Sequence, residues 1–247
     1  FVDRVGIAAG QTPAARLIDP VCPRAFGLDA ERAAMVERRV RAHAANVGAK
    51  LAKAGCTANL AVIFTADAGS MVKKIARRST SDEIAPAGRA ALRAVAAPIR
   101  WWYDTEARGK DGQRNIGMAY AMAGLEEGGA LPGGGGTVLQ YRSSVVSTLN
   151  VRSIRSATIV VDVERASGVP LAAVGDYAAM VGLAELRRPD PPPAGSILAL
   201  FDAAAAPPSL TDRDLALLRG LYAMPLDRLA RQHRQMLVGR MLKPAKD

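Results

Sequence analysis

Two runs of sequence decide the fold, Ala157-Thr-Ile-Val-Val-Asp-Val163 and Gly175-Asp-Tyr-Ala-Ala-Met-Val-Gly-Leu183. The first is rich in β-branched residues, which is typical of a buried strand. The second lies in an apolar stretch that predicts a helix from about Pro170 to Val181. A strand followed closely by an apolar helix predicts a domain in which helices pack against a sheet.

The chain outside these runs also divides into helices and strands, without a regular strand–helix repeat. One α+β domain over residues 1–247 is the simplest prediction. Residues 1–27 contain three prolines and predict an extended arm, and residues 107–136 end in four glycines and predict a flexible loop. Asn150–Ser156 is interpreted as a connection. Further strands are predicted at Asn59–Thr65, Ile99–Thr105 and Val138–Leu149, and further helices at Asp29–Val47, Ser70–Arg78 (with Ser70 as N-cap), Asp82–Ala96 and, in two parts, from Thr211 onwards.

The charge of the chain is strongly positive, at +10, with 33 Lys and Arg against 23 Asp and Glu. A basic protein can bind nucleic acid, anionic lipid or another polyanion. An alanine- and arginine-rich proteome of high GC content would produce the same balance. The basic residues are scattered along helices and are not interleaved with aromatic residues, which argues against nucleic acid as the partner.

The two cysteines indicate in which cellular compartment the protein is found. Cys22 precedes the first predicted helix and Cys56 follows it, so the folded helix can bring them within bridging range. A structural disulfide places the protein in the periplasm or outside the cell, whereas two buried free thiols would not. No run approaches the roughly 20 apolar residues that cross a bilayer. A chain that begins at Phe1 is interpreted as a mature or trimmed form without its leader.

Common catalytic signatures are absent from the sequence, including the nucleophile elbow, the P-loop and the dinucleotide fingerprint. The chain contains two histidines, His43 in the first helix and His233 in the last. Neither has a neighbouring nucleophile or carboxylate pattern, so structural or solvated roles are expected for both.

The order of elements over residues 157–223 resembles the second half of the metzincin zinc peptidases. In that family a strand leads to a helix with the motif H-E-x-x-H-x-x-G-x-x-H, followed by a methionine turn and a closing helix. Here the corresponding features are the apolar segment Ser196–Phe201, the T-x-x-D pattern that ends at Asp214, and Leu221-Tyr222. The resemblance implies a metzincin-like twisted mixed sheet packed against helices, with C-terminal helices.

The resemblance also implies that the zinc has been lost. If Gly182 is the motif glycine, the catalytic glutamate position holds Asp176, and the three histidine positions hold Gly175, Ala179 and Glu185. The methionine-turn segment Ser196–Leu200 contains no methionine. A catalytic zinc needs about three protein ligands, so no metal and no cofactor are expected.

Two sets of side chains remain as site candidates. Asp176 and Glu185 could act as an acid–base pair if they faced one cleft, although acidic residues near a helix end are usually solvated. Trp101, Trp102 and Tyr103 form the aromatic cluster of the chain and could bind carbohydrate or peptide, unless they pack beneath helices.

The sequence therefore predicts an exported, non-catalytic protein that binds a peptide, a protein or an envelope ligand, for example by strand addition. Two alternatives remain open. One is a hydrolase that uses Asp176 and Glu185, and the other is a basic protein attracted to polyanions or to the cell envelope.

Overall fold

A computed structural model describes residues 1–78, 97–109, 147–148, 150–202 and 206–242. Within these ranges the chain forms a five-stranded sheet and five α-helices. The strands are β1 (Arg16–Leu17), β2 (Pro23–Phe26), β3 (Leu60–Thr65), β4 (Ile99–Gly109) and β5 (Asn150–Asp162). The helices are α1 (Ala30–Asn46), α2 (Ala68–Arg78), α3 (Leu171–Leu183), α4 (Asp212–Ala223) and α5 (Ala230–Met241), with a short 3-10 helix at Ile197–Ala199.

The sheet is mixed and predominantly parallel. β2, β3 and β5 run parallel in that spatial order, and β4 pairs antiparallel with β5 along its whole length. The short β1 lies beside the first part of β5, where Arg16 is opposite Ser153. The predicted mixed sheet packed against helices is confirmed, and the metzincin-like details of that prediction remain untested.

The two faces of the sheet carry different layers, because successive side chains of a strand point to opposite faces. Leu60, Val62 and Phe64 of β3 point into the main apolar core, which includes side chains of α1, α3, α4 and α5. Ile63 points to the other face, where it packs in a smaller cluster with α2. The sheet therefore separates α2 from the helices of the main core.

The first helix forms where the local sequence signals predict it. The Asp29 carboxylate accepts a hydrogen bond from the Arg32 amide at 2.9 Å and so caps the start of α1. The helix ends at Asn46, and Gly48 follows with a φ of +83°, a conformation that glycine adopts without steric cost. β3 and α3 also form within one or two residues of the predicted bounds.

The predicted serine cap of α2 is wrong. The helix begins at Ala68, and the Asp67 carboxylate accepts the Ser70 amide hydrogen bond at 3.0 Å. An aspartate three residues earlier caps at least as well as a serine, so Ser70 lies inside the first turn.

The prediction of a connection at Asn150–Ser156 is also wrong, because these residues form the first half of β5. They pair with β4, which continues past Thr105 to Gly109. Residues 107–109 of the predicted loop are therefore strand, and its remainder at 110–136 lies outside the described residues. The predicted helix at Asp82–Ala96 lies outside them as well. So does the strand predicted at Val138–Leu149, except for residues 147 and 148, which are not in a strand.

The prediction of an extended arm at residues 1–27 is wrong for its first residues. Residues 2–8 form turns, and Val5 and Ile7 are fully buried in the main core. Later residues form β1 and β2. Burial of these apolar side chains favours a folded segment over an extended one.

Small residues allow α3 to pack closely on α1 and β3. A Cβ atom placed on Gly175 would lie 3.3 Å from Cβ of Arg39, and one on Gly182 would lie 2.6 Å from Cδ1 of Leu60. The two glycines are seven residues apart, and this spacing places them on one face of the helix. This face of α3 is therefore filled by its neighbours.

The disulfide between Cys22 and Cys56 is present, as predicted, with 6.1 Å between the two Cα atoms. It joins the residue before β2 to the loop that precedes β3, across α1. In the part of the chain that the structure describes, no helix is long and apolar enough to cross a bilayer.

Candidate functional site

A buried charge cluster lies between α1 and α3. Asp176 is fully buried, and Nε of Arg39 donates a hydrogen bond to its Oδ1 at 2.7 Å. A second guanidinium nitrogen of Arg39 contacts Oδ2. Nε2 of His43 donates to Oδ1 at 2.8 Å, since a carboxylate can only accept. Arg39 and His43 lie one helical turn apart on α1, so one face of that helix presents both to the carboxylate.

The partners of Asp176 decide its ionisation. Burial alone would raise the pKa of Asp176, but the hydrogen bonds from His43 and Arg39 outweigh it and hold the pKa below its ordinary value. In return, the hydrogen bond from Arg39 to Asp176 raises the pKa of the guanidinium. Asp176 is thus an ionised carboxylate whose acceptor oxygens are already bonded, which is a poor state for a general base.

Glu185, the other predicted acid–base residue, has a different environment. Nη2 of Arg152 donates to its Oε1 at 2.7 Å, and the other guanidinium nitrogen contacts Oε2. Glu185 lies just after the end of α3 and pairs with β5, whereas Asp176 pairs with α1. Asp176 lies seven residues before the end of α3, which corresponds to about 10 Å of helix rise, and Glu185 lies beyond that end. The structure therefore does not bring the two carboxylates together.

The positions that the metzincin resemblance gives to zinc ligands do not fit zinc. Gly175 has no side chain and lies against Arg39, and Ala179 is a fully buried methyl group. At the third position, the carboxylate of Glu185 already forms an ion pair with Arg152. Zinc in proteins takes His, Cys or carboxylate ligands, and one paired glutamate cannot supply the set. Among the residues that the structure describes, no group of three or more His, Cys, Asp or Glu could hold a metal ion.

The segment Ser196–Leu200, for which the sequence predicts a counterpart of the methionine turn, is held by hydrogen bonds to Asp214. The Ser196 hydroxyl donates to Oδ1 of Asp214 at 2.6 Å, and the Ile197 amide donates to Oδ2 at 2.9 Å. Asp214 also completes a capping box with Thr211, which confirms the helix start that the T-x-x-D pattern predicts. Both carboxylate oxygens of Asp214 are therefore used in joining this segment to α4.

Of the three aromatic candidates on β4, Trp101 is buried, and Trp102 and Tyr103 are half-buried against the two apolar clusters. Nε1 of Trp101 donates to the Leu186 carbonyl at 3.1 Å. The Tyr103 hydroxyl donates to the Val181 carbonyl at 2.6 Å and accepts from the Leu186 amide at 3.1 Å. Trp102 points to the opposite face, where it packs against the cluster beneath α2. Trp101 and Tyr103 thus hold the end of α3 in place, and Trp102 packs against the inner face of α2.

His233 has a structural role that the sequence allowed but did not locate. It is fully buried, its Nδ1 accepts the Ala14 amide hydrogen bond at 3.0 Å, and its Nε2 donates to the Pro225 carbonyl at 3.1 Å. The imidazole therefore joins the N-terminal segment to α5 in its neutral form. Burial lowers the pKa of His233 to about 4.

This histidine should make stability depend on pH. In the unfolded chain this histidine binds a proton below its ordinary pKa of about 6.5, whereas in the folded protein it does so only below a pKa of about 4. The free energy of unfolding therefore decreases as pH falls from 6.5 towards 4. The loss between pH 7.5 and pH 5 is expected to be about 2 kcal/mol. Urea unfolding at both pH values measures it. The His233→Gln variant should lose less over the same interval, and an equal loss in both proteins would contradict the assignment.

One exposed edge of the sheet is blocked against strand addition. The outward-facing amide of Ala25 in β2 donates to Oε1 of Glu37 at 3.1 Å. Pro23 in the same strand has no amide hydrogen to offer. A peptide therefore finds no free pair of amide donors on the described part of β2.

Sequence reasoning did not single out α2, which has a basic exposed face. Lys73, Lys74 and Arg77 are exposed, and no acidic residue lies between Ala68 and Arg78. The signal that could have identified it is the charge pattern Lys-Lys-Ile-Ala-Arg-Arg at residues 73–78.

Comparison with protein-family models, with curated proteins and with solved structures gives no match for this chain. The resemblance to metzincins therefore stays a prediction from the sequence.

Proposed function

We propose that this chain is an exported, non-catalytic binding protein on a metzincin-like scaffold. The observation that supports the proposal is the state of Asp176, which stands where the resemblance has the catalytic glutamate. It is buried at the interface of α1 and α3, and its oxygens accept hydrogen bonds from Arg39 and His43. A carboxylate in this state stabilises the contact between two helices and does not face substrate.

Export is supported by the disulfide between Cys22 and Cys56. Disulfides persist in oxidising compartments and are rare in the cytosol. The proposal therefore places the protein in the periplasm or outside the cell, where a peptide, a protein or an envelope component would be its ligand.

The competing proposal, a hydrolase that uses Asp176 and Glu185, has less support. An acid–base pair must reach one substrate, and these carboxylates bind different elements, α1 and β5 respectively. Each is paired with an arginine, which favours a role in packing.

A direct test compares the wild type with the Asp176→Asn and Glu185→Gln variants. We expect purified wild-type protein to contain no stoichiometric zinc and to leave fluorescent casein and a mixed peptide library intact over a day. Hydrolysis above background that Glu185→Gln abolishes, while circular dichroism remains unchanged, would overturn the proposal. Asp176→Asn serves as the second arm if it folds, and one zinc ion per chain would overturn the proposal independently of either variant.

A further inference from the structure

The helix α2 has an inner face and an outer face. Ala68 and Val72 are buried against Val160 of β5, and the half-buried side chains of Met71 and Trp102 complete this contact. Lys73, Lys74 and Arg77 fall between the positions that repeat this inner spacing, and their side chains are exposed. The outer face is the part of α2 that solvent reaches.

Three of the exposed side chains on the outer face are basic. Lys73 and Arg77 are four residues apart and Lys74 lies between them, so all three exposed cations share one side of the helix. Among the described residues, Asp67 precedes the helix; its carboxylate accepts the Ser70 amide and also interacts electrostatically with Lys74 and Lys73. Some basic side chains elsewhere are neutralised within the protein, such as Arg39 by Asp176 and Arg152 by Glu185.

We propose that the outer face of α2 binds an anionic phospholipid surface. This inference rests on the proposed function in one respect, because it supplies a ligand for a protein that binds instead of catalysing. Lysine and arginine side chains near a negative membrane surface each contribute favourably to binding, and three on one side of a helix act together.

The shape of the site favours a lipid surface over other polyanions. The helix lies on the sheet, so its cations meet a flat array of phosphates. Binding of single-stranded nucleic acid would need exposed aromatic rings for stacking, but the ring of Trp102 packs beneath α2.

The experiment is co-sedimentation of the full chain with vesicles, carried out at about physiological salt. The vesicles contain phosphatidylcholine, either alone or with 30 mole per cent of phosphatidylglycerol. The test variant replaces Lys73, Lys74 and Arg77 by glutamine. The control variant replaces Arg38, Lys50 and Lys53 by glutamine, which are exposed residues of α1 and the loop after it. Each variant removes three positive charges from a net charge of +10, so the two are matched in total charge.

Wild type is expected to bind the anionic vesicles and not the neutral ones. The test variant should bind about 100-fold more weakly, and the control variant should stay within about threefold of wild type. Equal losses in the two variants would overturn the proposal, since net charge alone would then explain binding. Tighter binding to heparin or to single-stranded DNA than to anionic vesicles would also overturn it. Casein hydrolysis, tested separately, reports on the proposed function whatever the vesicles show.

Discussion

Replacing Arg39 by methionine and His43 by leucine together is expected to lower the free energy of unfolding by about 4 kcal/mol at pH 7. The double variant leaves the fully buried Asp176 carboxylate without the two side chains that bond it. A buried charge without a partner is among the most destabilising features of a folded protein. Urea denaturation of wild type and variant gives the difference directly.

The pH dependence of the double variant supplies a second readout. In the wild type the pKa of Asp176 is lowered, so its contribution to stability is present at neutral pH and is lost as pH falls through its ordinary range. Without Arg39 and His43, burial raises that pKa, and the stability deficit should shrink as pH falls from 7 to 5.

A triple variant is the control for this experiment. Adding Asp176→Leu to the double variant removes the buried charge, and an apolar trio of similar volume should recover most of the lost stability. A double variant as stable as wild type would contradict the claim that Arg39 and His43 stabilise a buried carboxylate, because it would mean that water reaches Asp176. That outcome would also revive the hydrolase alternative.

Replacing Gly27 by alanine is expected to cost about 4 kcal/mol of unfolding free energy. Gly27 joins β2 to α1 with a φ of +81°, and a Cβ atom there would lie 2.0 Å from the Phe64 carbonyl oxygen. The positive φ accounts for about 1–2 kcal/mol of the cost. The remainder comes from the contact with the backbone of β3, which can be relieved only by separating β2 from its neighbour in the sheet.

Gly48→Ala separates the two contributions. Gly48 has nearly the same φ, +83°, but nothing lies within 4 Å of a Cβ atom placed there. This variant should lose only the part that comes from backbone strain, about 1–2 kcal/mol. Chemical denaturation of both variants measures the difference, and equal losses would show that the Phe64 carbonyl moves away freely.

The sequence predicts the elements that local signals define. Asp29 and Gly48 mark the two ends of α1, and the β-branched run at residues 60–65 marks β3. The first half of β5 escapes prediction because its arginines and serines resemble a loop. Those polar side chains are stabilised by partners distant in sequence, such as Glu185 for Arg152 and Asp104 for Arg155.

The cluster around Asp176 shows the same limit. Its partners Arg39 and His43 are 137 and 133 residues away in sequence, and no local pattern joins them. One signal was available, because Asp176 is the single charged residue within the apolar run from Leu171 to Leu183. A carboxylate in such a helix must find a partner when it is buried, so the sequence predicts that a partner exists but not which one.

The small cluster beneath α2 has a consequence for how the protein opens. Among the described residues of α2, Ala68 and Val72 are buried, whereas every residue of α3 from Ala173 to Leu183 is buried. A helix with so little apolar contact separates from the sheet at a lower free energy than the core helices. Amide hydrogens of α2 should therefore exchange with deuterium well before those of α3. An occupied outer face would slow that exchange, so deuterium uptake reports on ligand binding even before the ligand is identified.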